Sequence, residues 1–125
     1  MLIMLKKTIE YENYNGETVT EDFYFNLSKA EILDMEIEYE GSLTEYMNSI
    51  VLAKDLNKLM ALFKDILHKS YGKKSLDGRR FIKNQEILEE FTQTPAYDEL
   101  YVKLATDADE AAAFVRGIFP KSMQK

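Results

Sequence analysis

An Asn-Gly pair near the amino terminus does most to restrict the fold of this 125-residue chain. Asn15-Gly16 separates two segments, residues 3–11 and 18–25, in which Ile, Thr, Tyr, Val and Phe roughly alternate with polar residues. Such alternation is typical of a strand with one buried face, and Asn and Gly both tolerate the positive φ of a tight turn. The sequence therefore predicts a β-hairpin over residues 1–27.

Short helices are predicted for the rest of the chain. Each begins with a residue whose side chain can accept a hydrogen bond from the backbone of the first helical turn. These predicted caps are Ser28, Ser42, Asp55, Asn84, Thr94 and Asp107, of which Ser28, Ser42 and Asp107 have a Glu three residues later. Pro95 follows Thr94 and suits the first helical position, where its fixed φ is favourable.

Apolar spacing predicts which face of each helix is buried. The clearest stripe runs from Leu56 to Tyr71 at helical intervals, and Gly72 is placed to end that helix in a left-handed conformation. In the preceding helix, we expect Ala30, Leu33 and Ile37 to form the buried face. The predicted fold class is α+β, a single domain over residues 1–125. It has an amino-terminal hairpin (1–27), a compact bundle of five or six short helices (28–119) and a frayed tail (120–125).

Composition excludes several classes of function. The chain has no cysteine, which removes disulfides, thiolate metal sites and cysteine nucleophiles. Its net charge of −6 repels phosphate and argues against a general nucleic-acid coat. No stretch approaches the roughly 20 apolar residues of a membrane helix, and "MLIMLKK" has the wrong charge order for a signal peptide. We expect a soluble intracellular protein.

Motifs that would carry catalysis or bind a metal are weak. "GKKS" at 72–75 resembles the end of a phosphate-binding loop, but Leu67 stands where that loop needs Gly. His68 and Asp65 could form half a metal site or an acid–base pair, although a solvated histidine is the simpler interpretation. Asp107 and Asp109 begin a calcium-like pattern that the following residues do not continue. We predict no catalytic residue, no metal site and no cofactor.

The segment "YGKKSLDGRRFIKN", residues 71–84 and hereafter the basic segment, carries five cations and one acid on an acidic chain. It could simply be solvated, since charge runs are often plain surface. It could also contact an acidic protein partner or the acidic helices of a second copy. Nucleic acid is less favoured, because no aromatic stacking platform lies beside it. Asp77-Gly78 indicates a turn, so residues 73–83 could form a small hairpin.

Three blocks of sequence resemble a known family. They are "TEDFYFNLSKAEI", "LFKDILHKSYGKKSLDGRRFIKN" and "FTQTPAYDELYVKLATDADEAAAFVRGIFP". With these blocks in this order, the chain is similar to the tail assembly chaperones of long-tailed, siphovirus-type phages and prophages of Gram-positive bacteria. The resemblance covers residues 7 to 120 and rests on the order of the blocks, not on a catalytic motif.

The resemblance implies a non-enzymatic role in tail assembly. Such proteins bind the tape measure protein in the host bacterial cytoplasm and keep it soluble while the tail polymerises, and they are absent from the finished virion. A frameshifted longer form often recruits tail tube subunits. The alternatives are a small structural or connector protein retained in the virion and a nucleic-acid-binding regulator; an enzyme ranks last. The predicted partner or subunit contacts are Lys73, Lys74, Arg79, Arg80, Lys83, Phe114, Ile118 and Phe119.

Overall fold

The computed structural model describes residues 4–118, except for the side chains of Val51, Leu56, Ala108, Ala112 and Arg116. The described residues form β1 (Leu5–Glu12), β2 (Thr18–Phe25), α1 (Lys29–Glu38), α2 (Leu43–Ala53), α3 (Leu56–Ser70), β3 (Tyr71–Lys74), β4 (Phe81–Ile82), α4 (Gln85–Thr92), α5 (Pro95–Thr106) and α6 (Ala108–Ile118). The α+β class, with an amino-terminal hairpin followed by short helices, is confirmed.

The predicted hairpin pairs β1 with β2 antiparallel, from Leu5 opposite Phe25 to Glu12 opposite Thr18. The Asn13 carbonyl accepts from Gly16 N at 3.0 Å, and Asn13 N donates to the Glu17 carbonyl at 2.9 Å. Gly16 has a φ of 79°, whereas Asn15 does not have a positive φ. The turn therefore uses the left-handed freedom of Gly16 alone.

Two further strands lie within residues 28–119, where the sequence predicted helices and allowed a small hairpin over residues 73–83; that hairpin is present. The sheet order is β1-β2-β3-β4, with Phe25 opposite Tyr71 and Lys74 opposite Phe81. The prediction that Gly72 ends α3 in a left-handed conformation is wrong, because Gly72 belongs to β3 and has no positive φ. A Cβ there would lie 2.8 Å from a ring carbon of Phe81. Gly72 thus permits close strand packing and does not cap the helix.

Side-chain caps begin the helices where the sequence predicted them. At α1, Glu31 N donates to Ser28 Oγ at 3.1 Å and Ser28 N donates to Glu31 Oε1 at 2.9 Å, which completes a capping box. The side chains of Ser42, Asp55, Asn84, Thr94 and Asp107 accept from backbone N–H groups at the starts of the later helices. Each such cap contributes about 1 kcal/mol to helix stability.

An aromatic cluster joins the sheet to the helices. Phe25 on β2 is fully buried, with its ring centroid 5.1 Å from that of Phe114 on α6 and 5.8 Å from that of Phe91 on α4. Tyr71 on β3 stacks on Phe91 at 4.4 Å. Since these side chains come from four separate elements, the cluster fixes where the helices sit on the sheet.

The predicted buried face of α1 is wrong. Leu33 is 55% exposed and Ile37 is 76% exposed, while Ile32 and Met35 are buried. Both sets have helical spacing, so the helix has two apolar stripes that compete for one core. The stripe that is buried continues to Tyr39, whose hydroxyl donates to Asp65 Oδ2 on α3 at 2.8 Å.

Candidate functional site

The basic segment folds into a small hairpin whose turn, residues 75–80, we call the hairpin tip. Ser75 N donates to the Arg80 carbonyl at 2.8 Å, and Gly78, with a φ of 76°, donates its N–H to the Ser75 carbonyl at 3.0 Å. Ser75 Oγ donates to Asp77 Oδ1 at 2.6 Å, and this bond lowers the pKa of the Asp77 carboxyl. The tip is therefore held by its own hydrogen bonds.

The tip presents one apolar and two cationic side chains to solvent. Leu76 is fully exposed, and Arg79 and Arg80 are exposed beside it. Among residues 4–118, neither guanidinium forms a salt bridge. These two arginines, which are among the predicted contact residues, consequently remain available to a partner.

Lys83 has a structural position. Its ammonium donates to the Asn26 carbonyl and to Glu31 Oε2, both at 2.7 Å, and its side chain is only 21% exposed. Burial lowers the pKa of Lys83, and the hydrogen bond to Glu31 acts in the opposite direction. Lys83 thereby ties the end of β4 to the start of α1.

The other two lysines of the basic segment have partners on their own surface. Lys73 Nζ lies 3.0 Å from Glu90 Oε2, with both side chains half exposed. Lys74 Nζ lies 4.8 Å from the centroid of the Tyr24 ring, a cation–π contact. Both interactions are weak at exposed sites, so these lysines could still add positive charge near the tip.

The candidate contacts on α6 belong to the core. Phe114 is fully buried, with its ring centroid 5.9 Å from that of Phe63, and Ile118 is 3% exposed. Phe119 lies outside the described residues. In this conformation Phe114 and Ile118 do not form a surface that a partner could contact.

A groove of about 380 Å³ lies between α1, the end of α3 and the start of α4, and we call it the α1–α4 groove. Leu27, Met35 and Tyr71 lie at its base and are buried, and this burial raises the pKa of Tyr71 to about 12. The other lining residues are Glu31, Asp34, Glu38, His68, Lys69, Lys83, Asn84, Gln85 and Leu88. Grooves of this size accept an apolar side chain or a small ligand.

Most charges on the groove are already paired. Lys69 Nζ lies 2.9 Å from Glu38 Oε2 and 3.2 Å from Asp65 Oδ2, while Lys83 pairs with Glu31. Asp34 forms no salt bridge among the described residues. The α1 side of the groove thus keeps one unneutralised carboxylate.

The only histidine is part of a packed contact. His68 Nε2 lies 2.7 Å from the Tyr97 hydroxyl, and burial lowers the pKa of His68 below its usual value, so the ring is neutral at pH 7. Asp65 instead accepts hydrogen bonds from Tyr39 and Lys69. The two residues are not bonded to each other, so the acid–base pair that the sequence allowed does not form.

Neither a metal-binding cluster nor a membrane-spanning helix is present among the described residues, 4–118. In that part of the chain, no group of three or more His, Cys, Asp or Glu side chains could hold a metal ion. No helix there is long and apolar enough to cross a membrane.

Sequence reasoning missed the exposed apolar side chains. Leu33 and Ile37 were expected inside the protein, and Leu76 was not singled out. A leucine directly before Asp77-Gly78 was a usable signal, because turn positions rarely need an apolar side chain. No comparable local signal distinguishes the two stripes of α1.

Comparisons with known proteins assign the chain to a family. The sequence profile described as phage tail assembly chaperone matches residues 4–125, nearly the whole chain. No curated protein and no solved structure matches it. The match spans the sheet, the groove and every described helix, so the chain belongs to the phage tail assembly chaperone family.

Proposed function

We propose that this protein binds the tape measure protein of a long-tailed phage and keeps it soluble until the tail assembles around it. The family match over residues 4–125 carries this proposal. The protein acts in the host bacterial cytoplasm, catalyses no reaction and is absent from the finished virion. The phage or prophage belongs to a Gram-positive host, and a frameshifted longer form recruits tail tube subunits.

The exposed stripe of α1, formed by Ala30, Leu33 and Ile37 and hereafter the α1 outer face, is the proposed contact for the tape measure protein. Its apolar side chains have helical spacing and are exposed. Asp34 and Glu38 lie beside them on the same helix. An amphipathic helix with basic residues along one edge complements such a face in both polarity and charge. Tape measure proteins are long and helical, so they can supply segments of this kind.

Co-expression with the tape measure protein of the same genome tests the proposal. A tagged wild-type chain should keep the tape measure protein soluble and co-purify with it. Changing Leu33→Asp together with Ile37→Asp should abolish co-purification without unfolding the chain, because both side chains are exposed. Leu52→Asp on α2, where the leucine is also exposed, is the matched control and should bind as the wild type does.

Two failures can be distinguished. If the wild-type chain neither binds nor solubilises the tape measure protein, the chaperone proposal is wrong. If the double variant still binds while remaining folded, the function stands and only the assignment to the α1 outer face is wrong. Mass spectrometry of purified particles addresses the rival function, because a structural or connector protein would be found in the virion.

A further inference from the structure

We propose that the open edge of β1 binds an extended segment of a partner protein in which apolar and basic residues alternate. The segment pairs with the second half of β1 as an added strand, a mode of peptide recognition in which backbone hydrogen bonds supply much of the affinity. This edge lies on a different element from the α1 outer face, so the inference goes beyond the proposed contact with the tape measure protein.

The outer edge of β1 has backbone groups without partners. The strand is first in the sheet order and pairs, among the described residues, with β2 alone. Asn13 and Glu17 continue the β1–β2 register, and this pair is hydrogen-bonded through Asn13 N. Because hydrogen-bonded and non-hydrogen-bonded pairs alternate in an antiparallel ladder, Thr8, Glu10 and Glu12 direct their N–H and C=O groups away from β2. No other backbone–backbone hydrogen bond of the described chain involves these groups.

The edge is long and regular. Its register with β2 continues through all 8 residues of the strand without a bulge, and the strand contains no proline. Bulges, prolines and lysines are features that commonly keep a sheet edge from pairing with another chain. In β1, lysines occur only at Lys6 and Lys7, and the Lys7 ammonium lies 3.8 Å from Glu110 Oε2. The segment from Thr8 to Glu12 is therefore the part of the edge best able to accept another strand.

A groove of about 240 Å³ lies between this edge and helix α5, and we call it the β1–α5 groove. Four consecutive residues of β1, 7–10, line it. Because consecutive strand residues point to opposite faces, a groove that touches all four lies at the edge of the sheet. Ile9 is half-buried, and Leu100 and Leu104 lie buried at the base of the groove. An apolar side chain of an added strand would remove the rest of Ile9 from water.

The charges on this edge favour a basic partner. Glu10 and Glu12 are exposed, and threonines stand opposite both on β2, so neither carboxylate has a cation directly across the pair. Glu99, which lines the groove on α5, is instead one helical turn from Lys103, which offsets its charge. In an added strand, the residues opposite Glu10 and Glu12 come close enough to form charge pairs. The partner segment therefore carries basic residues on its solvent side and apolar residues on its groove side.

A synthetic peptide of about nine residues, in which lysine alternates with valine, is the probe. Isothermal titration calorimetry should show that it binds the wild-type chain in a one-to-one complex. In the free chain, NMR should show faster amide exchange at Thr8 and Glu10 than at Lys7 and Ile9, whose N–H groups pair with β2. Bound probe should slow exchange at Thr8 and Glu10. The same peptide with every backbone nitrogen methylated keeps its charge but cannot pair, so it should not bind.

Variants of the chain separate the backbone contact from the charge contact. Glu10→Pro removes an N–H that points away from β2 and should weaken probe binding about tenfold or more. Glu10→Gln keeps that N–H and removes only the charge, so it should weaken binding about two- to fivefold. Thr20→Pro is the matched control, because Thr20 stands opposite Glu10 and its N–H points away from β1. This control should bind the probe as the wild type does.

Each result either supports or overturns the proposal. A probe that does not bind, a methylated peptide that binds equally well, or equal losses in Glu10→Pro and Thr20→Pro would overturn it. Amide exchange at Thr8 that slows with rising concentration of the free chain would overturn it too, because a second copy would then occupy the edge. Glu10→Pro should still capture the tape measure protein, and Leu33→Asp with Ile37→Asp should still bind the probe. Loss of this contact and failure of the proposed function therefore give different results.

Discussion

Lys83→Met should destabilise the fold although Lys83 was predicted from sequence to be a partner contact. The Lys83 ammonium bonds the Asn26 carbonyl and Glu31 Oε2, and the second bond links residues 52 positions apart. Methionine retains most of the apolar stem and removes only the charge and the donors. The substitution therefore isolates the two hydrogen bonds.

The expected loss of unfolding free energy is about 2 kcal/mol. A hydrogen bond to a charged group contributes roughly 1.5–3 kcal/mol, but the Glu31 side chain is 39% exposed and water can replace part of the interaction. Glu31 also keeps its bond from Ser28 N, so its carboxylate is not left without a donor. These considerations place the loss below the sum expected for two fully buried bonds.

Urea denaturation of a double-mutant cycle measures the effect. Lys83→Met, Glu31→Gln and the double variant should give a coupling free energy of roughly 1 kcal/mol. Lys73→Met is the matched control, since its pair with Glu90 is half exposed on both sides and should cost no more than about 0.5 kcal/mol. The reasoning is refuted if Lys83→Met costs as little as the control or if the coupling is zero.

Two further predictions concern stability. Gly72→Ala should cost about 1–3 kcal/mol in urea denaturation, because its Cβ would lie 2.8 Å from the Phe81 ring and 2.9 Å from the Ile82 carbonyl oxygen, and an unchanged midpoint would contradict this packing. The pKa of His68 in the folded chain lies below its ordinary value of 6.5. Between these two pKa values, the unfolded chain therefore binds more protons than the folded chain. The free energy of unfolding should fall as pH drops from 6.5 to the folded pKa and should level off below it. His68→Gln should remove that component of the pH dependence, and an identical profile in both proteins would show that the burial of His68 does not set it.

Local signals in the sequence predicted much of the fold. The Asn15-Gly16 turn and the caps at Ser28 and Asn84 act through atoms a few residues apart, so the sequence alone carries the information. Strands β3 and β4 were predicted from the sequence only as a possible small hairpin over residues 73–83. They are four and two residues long, and β3 depends on pairing with β2. Pairing between distant segments is a property of the whole fold, which local propensity does not encode.

In the basic segment, too, the sequence alone does not distinguish residues with a structural role from residues available to a partner. Its five cations look equivalent in the sequence, yet Lys83 is held by Asn26 and Glu31 while Arg79 and Arg80 are unpaired within residues 4–118. The difference arises because Lys83 follows β4 directly, where the sheet meets the start of α1, whereas the arginines lie in the turn. Only the tertiary arrangement separates the structural cation from the available ones.

The apolar residues of α1 that were wrongly predicted to be buried are the ones that form the proposed partner contact. A surface helix needs one apolar stripe to attach to its core, and Ile32 and Met35 provide it. Leu33 and Ile37 form a second stripe that contributes nothing to that attachment and leaves apolar surface in water. Replacing them with polar residues should therefore be nearly neutral for folding, within about 0.5 kcal/mol. A stripe that the fold does not require, on a member of the phage tail assembly chaperone family, supports the proposed contact with a partner on the α1 outer face.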